Sequence, residues 1–294
     1  MSVTRFPNGI SSFGIPLVGS GPILTTGNVF FVHHTGSDSN SGTDATQPFA
    51  TLDYAIGRCT ADKNDTIIVM AGHAETITSA ITVDIAGVSI IGIGNGTNRP
   101  ALTCNAAIDC ITVTAANVTI QNIYFPASTL TGVTSRINVA ASHLSVINCK
   151  FQCGQYDLES ITVTATGLDL VVDSCHFIVS ANGPDAAIEI ESASAAGIIV
   201  QNCIFDGGDD TNGWDVSAVN SDVAHTNCVI KNNVSFYGAF ADFDAAATGV
   251  IAYNVMGEGT LGAMLDPGSC MCFENYEADA VDETGRIFPT SAAS

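Results

Sequence analysis

Basic residues are scarce in this chain. Its 294 residues include only 8 Lys and Arg against 29 Asp and Glu, which gives a formal net charge of −21. A field of that sign repels nucleic-acid phosphates and anionic membrane headgroups, so we expect neither class of partner. Charged residues make up 13% of the chain and hydrophobic residues 46%, with a mean hydropathy of +0.32. Because disordered chains have the opposite balance, the composition predicts a folded protein with a large core.

Long hydrophobic runs are also missing. No apolar stretch approaches the ~18 residues of a membrane-spanning helix, so we expect no membrane insertion. The opening segment, MSVTRFPNGISSFGIPLVGSGPILTTGN, makes a poor secretory signal. Gly, Pro and Ser interrupt its apolar residues, and Arg5 alone supplies a basic region. This start is typical of a protein made in the cytoplasm.

The cysteines lack the spacings of metal fingers. Ten are present, but no pair is spaced CxxC. The nearest pairs are CxC at Cys270 and Cys272 and CxxxC at Cys149 and Cys153, without a histidine at zinc-finger spacing. Disulfide frameworks belong mainly to small secreted domains, and these cysteines lie in apolar runs such as NCKF, SCHF and NCIF. We therefore expect buried thiols that pack as small hydrophobic side chains.

An internal repeat determines the fold class. The segments VTIQNIYF, LSVINCKF, LVVDSCHF, IIVQNCIF and VIKNNVSF share a pattern of an apolar residue, Asn or Ser, a second apolar residue and Phe. Successive Asn/Ser positions lie 26, 26, 28 and 31 residues apart. A single coil of this length cannot bury its inner face, whereas stacked coils can, so the repeat predicts a parallel β-helix.

Aligning the repeats places three columns of equivalent residues along the stack. The corner column is Asn122, Asn148, Ser174, Asn202 and Asn233; the first inward column is Ile123, Cys149, Cys175, Cys203 and Val234; the aromatic inward column is Phe125, Phe151, Phe177, Phe205 and Phe236. We expect amide hydrogen bonds along the corner column. Segments of alternating apolar and polar residues between the copies, such as ITVDI and SITVTAT, have the period of half-buried strands.

A short helix precedes the coils. In PFATLDYAIGRC, apolar residues recur at three- and four-residue intervals, which predicts a helix that starts near Pro48 and covers the open end of the solenoid. The fold class is thus all-β, a right-handed parallel β-helix with a short N-terminal capping helix. The predicted divisions are an extended arm over residues 1–28, a cap over 29–80, coils over 81–260, and a C-terminal cap and tail over 261–294.

Two segments carry a family resemblance. GSDSNSGTDATQPFATLDYAI at residues 36–56 and NDTIIVMAGHAETI at 64–77 resemble the entry segment of right-handed parallel β-helix proteins of the pectate-lyase-like superfamily. This superfamily contains lyases, hydrolases, epimerases, phage tailspikes and non-catalytic virion proteins, so the resemblance implies a fold more than a function. The opening MSVTRFPNGISS and the tail FENYEADAVDETGRIFPTSAAS look like the ends of tailed-phage structural proteins.

Two groups of residues are candidates for saccharide chemistry. The segment FDGGDDTNGWD supplies carboxylates beside a tryptophan that could stack on a sugar, or else forms a solvated turn; its candidate glycan-binding residues are Asp206, Asp209, Asp210, Trp214 and Asp215. Lyase chemistry needs a base, and Lys150 falls in an outward column with Tyr124 and His176. The Gly-His-Gly and Arg-x-Lys segments of β-helix hydrolases are absent from this sequence.

Metal ligands are sparse. Asp38, Asn40, Gly42 and Asp44 occur at every second position, like the oxygen ligands and glycine at the start of a calcium loop. The distal Glu of such a loop is missing, and the alternative is an Asx-rich turn before the helix. His33 and His34 are neighbours on an expected strand and should therefore point to opposite faces. We predict no cofactor apart from a possible calcium ion.

The first 28 residues form an apolar but unpatterned arm. Its large apolar residues, which we expect to be buried against another subunit, are Phe6, Ile10, Phe13, Ile15, Leu17 and Ile23. With the resemblance, the sequence predicts a non-catalytic structural protein of a phage virion, a capsid decoration protein or a short fibre. It would be made in the host cytoplasm and form a homotrimer that contacts the major capsid or another virion protein. The alternative is a tailspike-like protein that binds or degrades a host-surface polysaccharide.

Overall fold

A computed structural model of the protein describes residues 10–12, 15–17, 25–128, 130, 132–154, 157–164, 169–180, 184–208, 214–257 and 264–278. Over these residues the chain is a right-handed parallel β-helix, which confirms the predicted fold class. Each coil contributes strands to three parallel sheets, and each strand pairs with its equivalents in the coils before and after it. No helix in the described part of the chain is long and apolar enough to cross a membrane.

The three sheets run along the whole stack. Sheet 1 contains β3 (Val29–Val32), β4 (Thr66–Val69), β7 (Ser89–Gly92), β10 (Thr119–Gln121), β13 (Ser145–Ile147), β16 (Val171–Asp173), β19 (Ile199–Gln201), β22 (Cys228–Lys231), β25 (Gly249–Ala252) and β28 (Met271–Phe273). Sheet 2 contains β5 (Ala74–Ile77), β8 (Ala101–Cys104), β11 (Tyr124–Phe125), β14 (Lys150–Cys153), β17 (His176–Val179), β20 (Ile204–Asp206), β23 (Val234–Phe236), β26 (Val255–Gly257) and β29 (Tyr276–Ala278). Sheet 3 contains β6 (Ile81–Val83), β9 (Ile111–Val113), β12 (Val133–Val139), β15 (Asp157–Val163), β18 (Ala186–Ile190), β21 (Ser217–Ser221), β24 (Ala241–Phe243) and β27 (Leu265–Asp266).

The corner between sheets 1 and 2 is a single residue in the left-handed conformation. Its φ lies between 50° and 59° in seven successive coils, at Asn122, Asn148, Ser174, Asn202, Asn232, Tyr253 and Glu274. Asparagine is the residue, after glycine, that adopts this conformation most readily, which explains its recurrence. The predicted amide ladder is present between Asn148 Nδ2 and Asn122 Oδ1, at 3.2 Å. In the next coils the corner side chains do not bond to each other. The Ser174 hydroxyl and Asn202 Nδ2 instead both donate hydrogen bonds to Asp173 Oδ1.

The aromatic column is confirmed over four coils. Phe125, Phe151, Phe177 and Phe205 are fully buried, with ring centroids 4.8–4.9 Å apart and interplanar angles of 3–6°. Parallel, in-register strands lie at about this spacing, so the backbone imposes a face-to-face stack that isolated rings would not prefer.

The prediction that Phe236 is the fifth member of the aromatic column is wrong. This side chain is 44% exposed, because β23 pairs Ser235 with Phe205 and leaves Phe236 opposite Asp206. The predicted corner residue Asn233 is wrong, because the corner of this coil is Asn232. Every later residue of the segment therefore lies one position farther from the corner than the repeat alignment predicted. Phe240, from the following loop, covers the end of the stack at 5.8 Å from Phe205.

The same shift changes the inward cysteine column. Cys149, Cys175 and Cys203 are buried and form no disulfide, as predicted. In the next coils their place is taken by Asn233, Asn254 and Asn275, whereas Val234 faces outward instead of inward. The three asparagines are at most 1% exposed. The column therefore continues through the C-terminal coils with a different chemistry.

The predicted capping helix is α1 (Leu52–Ile56), which packs on β3, β4 and β6 at the start of the stack. It begins at Leu52 and not near Pro48, because Thr51 is its N-cap and its hydroxyl accepts from the Tyr54 amide at 3.4 Å. Its buried residues, Leu52, Ala55 and Ile56, face the first coil.

The arm contains an antiparallel hairpin of β1 (Ile10–Ser12) and β2 (Ile15–Leu17), which joins none of the three large sheets. Phe6, Phe13 and Ile23 lie outside the described residues. The burial of the arm in an interface stays a prediction.

Candidate functional site

A cleft of about 570 Å³ opens on the outer face of sheet 2. Tyr124, Lys150 and His176 form its floor as one outward column, because β11, β14 and β17 pair these residues in register. Their sequence neighbours Phe125, Phe151 and Phe177 point inward. The alternation of the strands therefore fixes the polar column outside and the aromatic stack inside. The sequence predicted this outward column.

A loop around the 3-10 turn Gly96–Asn98 forms one wall of the cleft, and Arg99 lines the cleft beside Thr97. No sequence pattern pointed to Arg99, because it lies outside the repeat and only the fold brings it next to Lys150 and His176. Two of the chain's 8 basic residues thus share one cleft in a protein with net charge −21. We call this group, Arg99, Tyr124, Lys150 and His176, the cationic cleft.

Burial and neighbouring charges shift the pKa values of two side chains in the cationic cleft, His176 and Tyr124. The pKa of His176 is lowered mainly by burial and further by repulsion from Lys150 and Arg99, against an opposing effect of Asp206. Burial raises the pKa of Tyr124, whose hydroxyl donates to Gln152 Oε1. The Lys150 ammonium lies 5.3 Å from the Tyr124 ring centroid, within cation–π range. A neutral imidazole beside two cations can accept a proton from a bound anion.

A second depression, of about 350 Å³, lies on sheet 3 and is lined by carboxylates. This acidic groove contains Glu159, Asp185, Glu189, Glu191 and Asp222, together with Asn220. Burial, followed by repulsion from Asp185, Glu189 and Glu191, raises the pKa of Glu159 to about 8. Burial also raises the pKa of Glu189, opposed by hydrogen bonds of 3.2 and 2.9 Å from Asn220 Nδ2 to its two oxygens.

The predicted glycan-binding segment is only partly described. Asp209 and Asp210 lie outside the described residues. Asp215 is exposed, and Asp206 is half-buried and accepts from the Gly208 amide at 3.1 Å. Trp214 is 6% exposed, so its ring offers no open face on which a sugar could stack. A role of this segment in glycan binding stays a prediction that its tryptophan does not favour.

The candidate calcium residues serve the turn before α1. Asp38 accepts hydrogen bonds from the Ala50 amide, at 2.8 Å, and from the amide and hydroxyl of Thr51. Asn40 Nδ2 donates to the Pro48 carbonyl at 2.8 Å, and Asp44 Oδ1 accepts from the Thr46 amide at 2.8 Å. These bonds fit the alternative, an Asx-rich turn. Among the described residues, no group of three or more His, Cys, Asp or Glu side chains could hold a metal ion.

The histidines near the first coil depart from expectation. Because β3 ends at Val32, His33 and His34 lie beyond the strand, and their rings are 4.3 Å apart instead of on opposite faces. His73 lies 6.4 and 6.2 Å from these two rings, and its Nε2 is 3.1 Å from Glu75 Oε2. Burial, then repulsion from the other two rings, lowers the pKa of His33.

The stacked coils, three parallel sheets and left-handed corners define a parallel β-helix, the fold that pectate lyases share. Solved structures with this fold are similar to the chain at 12% identity: a rhamnogalacturonan lyase (TM-score 0.54, covering 91% of each chain), pectate lyase Pel9A (TM-score 0.54, 92% of this chain and 82% of that one) and the GH136 lacto-N-biosidase from Eubacterium ramulus (TM-score 0.50, 85% and 67%). At this identity the likeness establishes the fold alone. No family model and no curated protein sequence matches the chain.

Proposed function

We propose that the protein is a non-catalytic structural component of a tailed-phage particle, a capsid decoration protein or a short fibre, that assembles as a homotrimer. One observation carries the proposal. A single hydrophobic cluster runs through the described body from Phe30 to Cys270, so the solenoid fills its own core. The arm contains several large apolar residues, and exposing them to water would be unfavourable. In this proposal they contact a neighbouring subunit or the capsid.

Purified particles test this proposal. We expect the protein in a fixed, stoichiometric number of copies per particle, by quantitative mass spectrometry. Recombinant full-length chain should co-sediment with particles that lack it, whereas a chain without residues 1–24 should keep its β-sheet circular dichroism and stay in the supernatant. Absence of the protein from washed particles would reject the virion role, and co-sedimentation of the truncated chain would reject the attachment role of the arm.

The cationic cleft supports a second function, the binding of an acidic saccharide. Arg99 and Lys150 provide two fixed positive charges in a cleft that crosses several coils, in a chain whose overall field is negative. A uronate carboxylate would fit between them, and a neutral His176 could take the proton next to it, which is the first step of an eliminative cleavage. Two of the similar structures named above are a rhamnogalacturonan lyase and a pectate lyase, but they share only the fold with this chain.

A saccharide array separates binding from cleavage. We expect binding to uronate-containing polymers and not to neutral glycans, with at least a tenfold loss of affinity on Arg99→Ala or Lys150→Ala. Lys231→Ala is the matched control, since it removes a lysine outside the cleft. Release of unsaturated uronates that disappears in His176→Ala would identify a lyase. Equal binding by the wild type and the two cleft variants would reject this function.

A further inference from the structure

The loop that walls the cationic cleft contains an Asn-Gly pair. Asn95 and Gly96 are both exposed, and Gly96 lines the cleft together with Arg99. In such a pair the glycine nitrogen can attack the asparagine side chain, because glycine has no Cβ to shield that nitrogen or to restrict the backbone. Three other Asn-Gly pairs lie outside the described residues, at 8–9, 182–183 and 212–213. Asn95 and Gly96 are thus the pair that the structure places at a candidate site.

The loop is anchored on both sides of this pair. Asn122 Nδ2 donates to the Gly94 carbonyl at 3.0 Å, and the Gly72 amide donates to the Asn98 carbonyl at 2.8 Å. Between these anchors the side chain of Asn95 caps no backbone amide of the turn. Its carboxamide is therefore not held away from the backbone nitrogen that follows it.

The backbone around the pair has room to react. Asn95 is extended, with φ −133° and ψ 159°, so the Gly96 nitrogen reaches Cγ of Asn95 only after ψ rotates. Gly96 has a φ of 57°, and a Cβ built on it would meet no atom within 4 Å. As the first residue of the 3-10 turn, its amide has no partner within the turn. The rotation breaks one bond of the turn, from the Asn98 amide to the Asn95 carbonyl, and 3-10 bonds have poor geometry.

We propose that Asn95 is a site of spontaneous deamidation, which places a carboxylate in the wall of the cationic cleft. The Gly96 nitrogen bonds to Cγ of Asn95 and loses its proton, while the carboxamide nitrogen takes up a proton and leaves as ammonia. Water then opens the cyclic imide and leaves aspartate or isoaspartate. No electron is transferred, and water is the single co-reactant.

The new carboxylate changes the charge of the cleft. It lies one turn from Arg99, whose amide donates to the Gly96 carbonyl at 3.2 Å, and it lowers the positive potential that an acidic ligand meets. The cleft therefore loses affinity for anions as the protein ages. This consequence rests on the saccharide binding proposed above, whereas the reaction itself does not.

Mass spectrometry of aged protein tests the reaction. During incubation of the full-length chain at neutral pH, the peptide with Asn95 should exchange NH for O in its mass and become a substrate for an isoaspartyl methyltransferase. The rate should approach that of the synthetic peptide IGIGNGTNRP, which has the same sequence without the fold. Asn98 is the matched control, because it is also exposed in the same loop but precedes Arg99 and has both backbone groups bonded. A folded chain that keeps Asn95 intact while the peptide reacts would overturn the proposal, as would equal rates at Asn95 and Asn98.

Saccharide binding tests the consequence. Asn95→Asp and the aged wild type should bind uronate polymers about two- to fivefold more weakly than fresh wild type, the size expected for one exposed charge. The loss should shrink at high salt, which screens charge. Asn95→Gln should keep its affinity on ageing, because its longer side chain would have to close a larger ring, and it controls for the other Asn-Gly pairs. Equal binding by fresh and fully deamidated protein would reject the effect on the cleft. A wild type that binds no uronate polymer rejects the saccharide function, and the mass measurement still decides the reaction.

Discussion

The middle and C-terminal coils fill the same interior position in two ways. In the middle coils, Cys149, Cys175 and Cys203 occupy it, and each thiol lies 3.5–3.7 Å from a carbonyl of the preceding coil, a weak interaction. In the C-terminal coils asparagines occupy it and form a directed network, as shown by Asn233 and Asn254.

The asparagine network satisfies backbone groups that the cysteines do not reach. Asn254 Oδ1 accepts from both the backbone amide and Nδ2 of Asn233, at 3.0 Å each. Its own Nδ2 donates to the Ile230 carbonyl at 3.0 Å and to Asn275 Oδ1 at 2.9 Å. The comparison shows that the same inward position of a solenoid coil can hold either a small, weakly polar side chain or a polar side chain whose hydrogen bonds are satisfied. The polar solution makes each coil depend on its neighbours, because a buried group that loses its partner is costly.

The largest effect should come from the aromatic stack of the middle coils. Phe177→Ala should lower the free energy of unfolding by ~3–5 kcal/mol, because it leaves a ring-sized cavity between Phe151 and Phe205. Phe236→Ala is the matched control and should change it by less than ~1 kcal/mol, since that ring is largely exposed. Guanidinium unfolding followed by circular dichroism measures both. Equal losses would contradict the register that excludes Phe236 from the stack.

The second-largest loss of stability should follow from breaking the asparagine network of the C-terminal coils. Asn254→Ala should cost ~2–4 kcal/mol, because the backbone amide of Asn233 and the carbonyl of Ile230 lose hydrogen bonds in a dry interior. Hydrogen exchange measured by mass spectrometry should rise in the coils around Asn233 and Asn275 and stay unchanged around Phe125. Uniform exchange over the whole chain would contradict a network confined to the C-terminal coils.

The equivalent change in the middle coils should be milder. Cys175→Ala should cost only ~1 kcal/mol, since it removes one packing atom and a weak hydrogen bond. In the native wild type, thiol reagents should not label Cys149, Cys175 or Cys203, and mass spectrometry should find them without a disulfide. A loss equal to that of Asn254→Ala would mean that the two solutions are energetically alike.

The smallest effect concerns the acidic groove of sheet 3. The pKa of Glu159 in the folded state is raised to about 8 from its ordinary value of 4.5, so the folded chain holds the proton more tightly than the unfolded chain. The stability that protonated Glu159 contributes to the folded chain is fully present below pH 4.5 and is lost as the pH rises through 8. Glu159→Gln should therefore raise the melting temperature at pH 9 and leave it nearly unchanged at pH 4.5.

The expected gain at high pH is on the order of 1 kcal/mol, because Glu159 is partly exposed and solvent screens its neighbours. Asp84→Asn, at an exposed carboxylate, is the control and should show no such dependence. A gain of the same size at both pH values would assign the effect to packing and not to ionisation.

The repeat was predictable because parallel coils impose a period on the sequence. The alternation of inward and outward residues, the left-handed Asn corners and the column of Tyr124, Lys150 and His176 follow from that period alone. The prediction failed where two asparagines are adjacent and either could form the corner. Asn232 forms it, so Asn233 faces inward and Phe236 outward. It also failed at the end of β3, which stops one residue before His33. Such shifts are invisible locally, since each segment remains a plausible strand in either register.

By itself the sequence determined the architecture: a repeat that can bury its inner face only by stacking, and a capping helix at the first coil. The tertiary structure alone decided the sites. Arg99 joins Lys150 and His176, Glu159 meets the carboxylates of other coils, and Ile204, Val255 and Tyr276 align in one outward column of sheet 2. These residues are 21 or more positions apart in the chain, and only the stacking of coils at strand spacing brings them into contact. A periodic pattern specifies a coil, whereas the chemistry of a surface depends on which coils become neighbours.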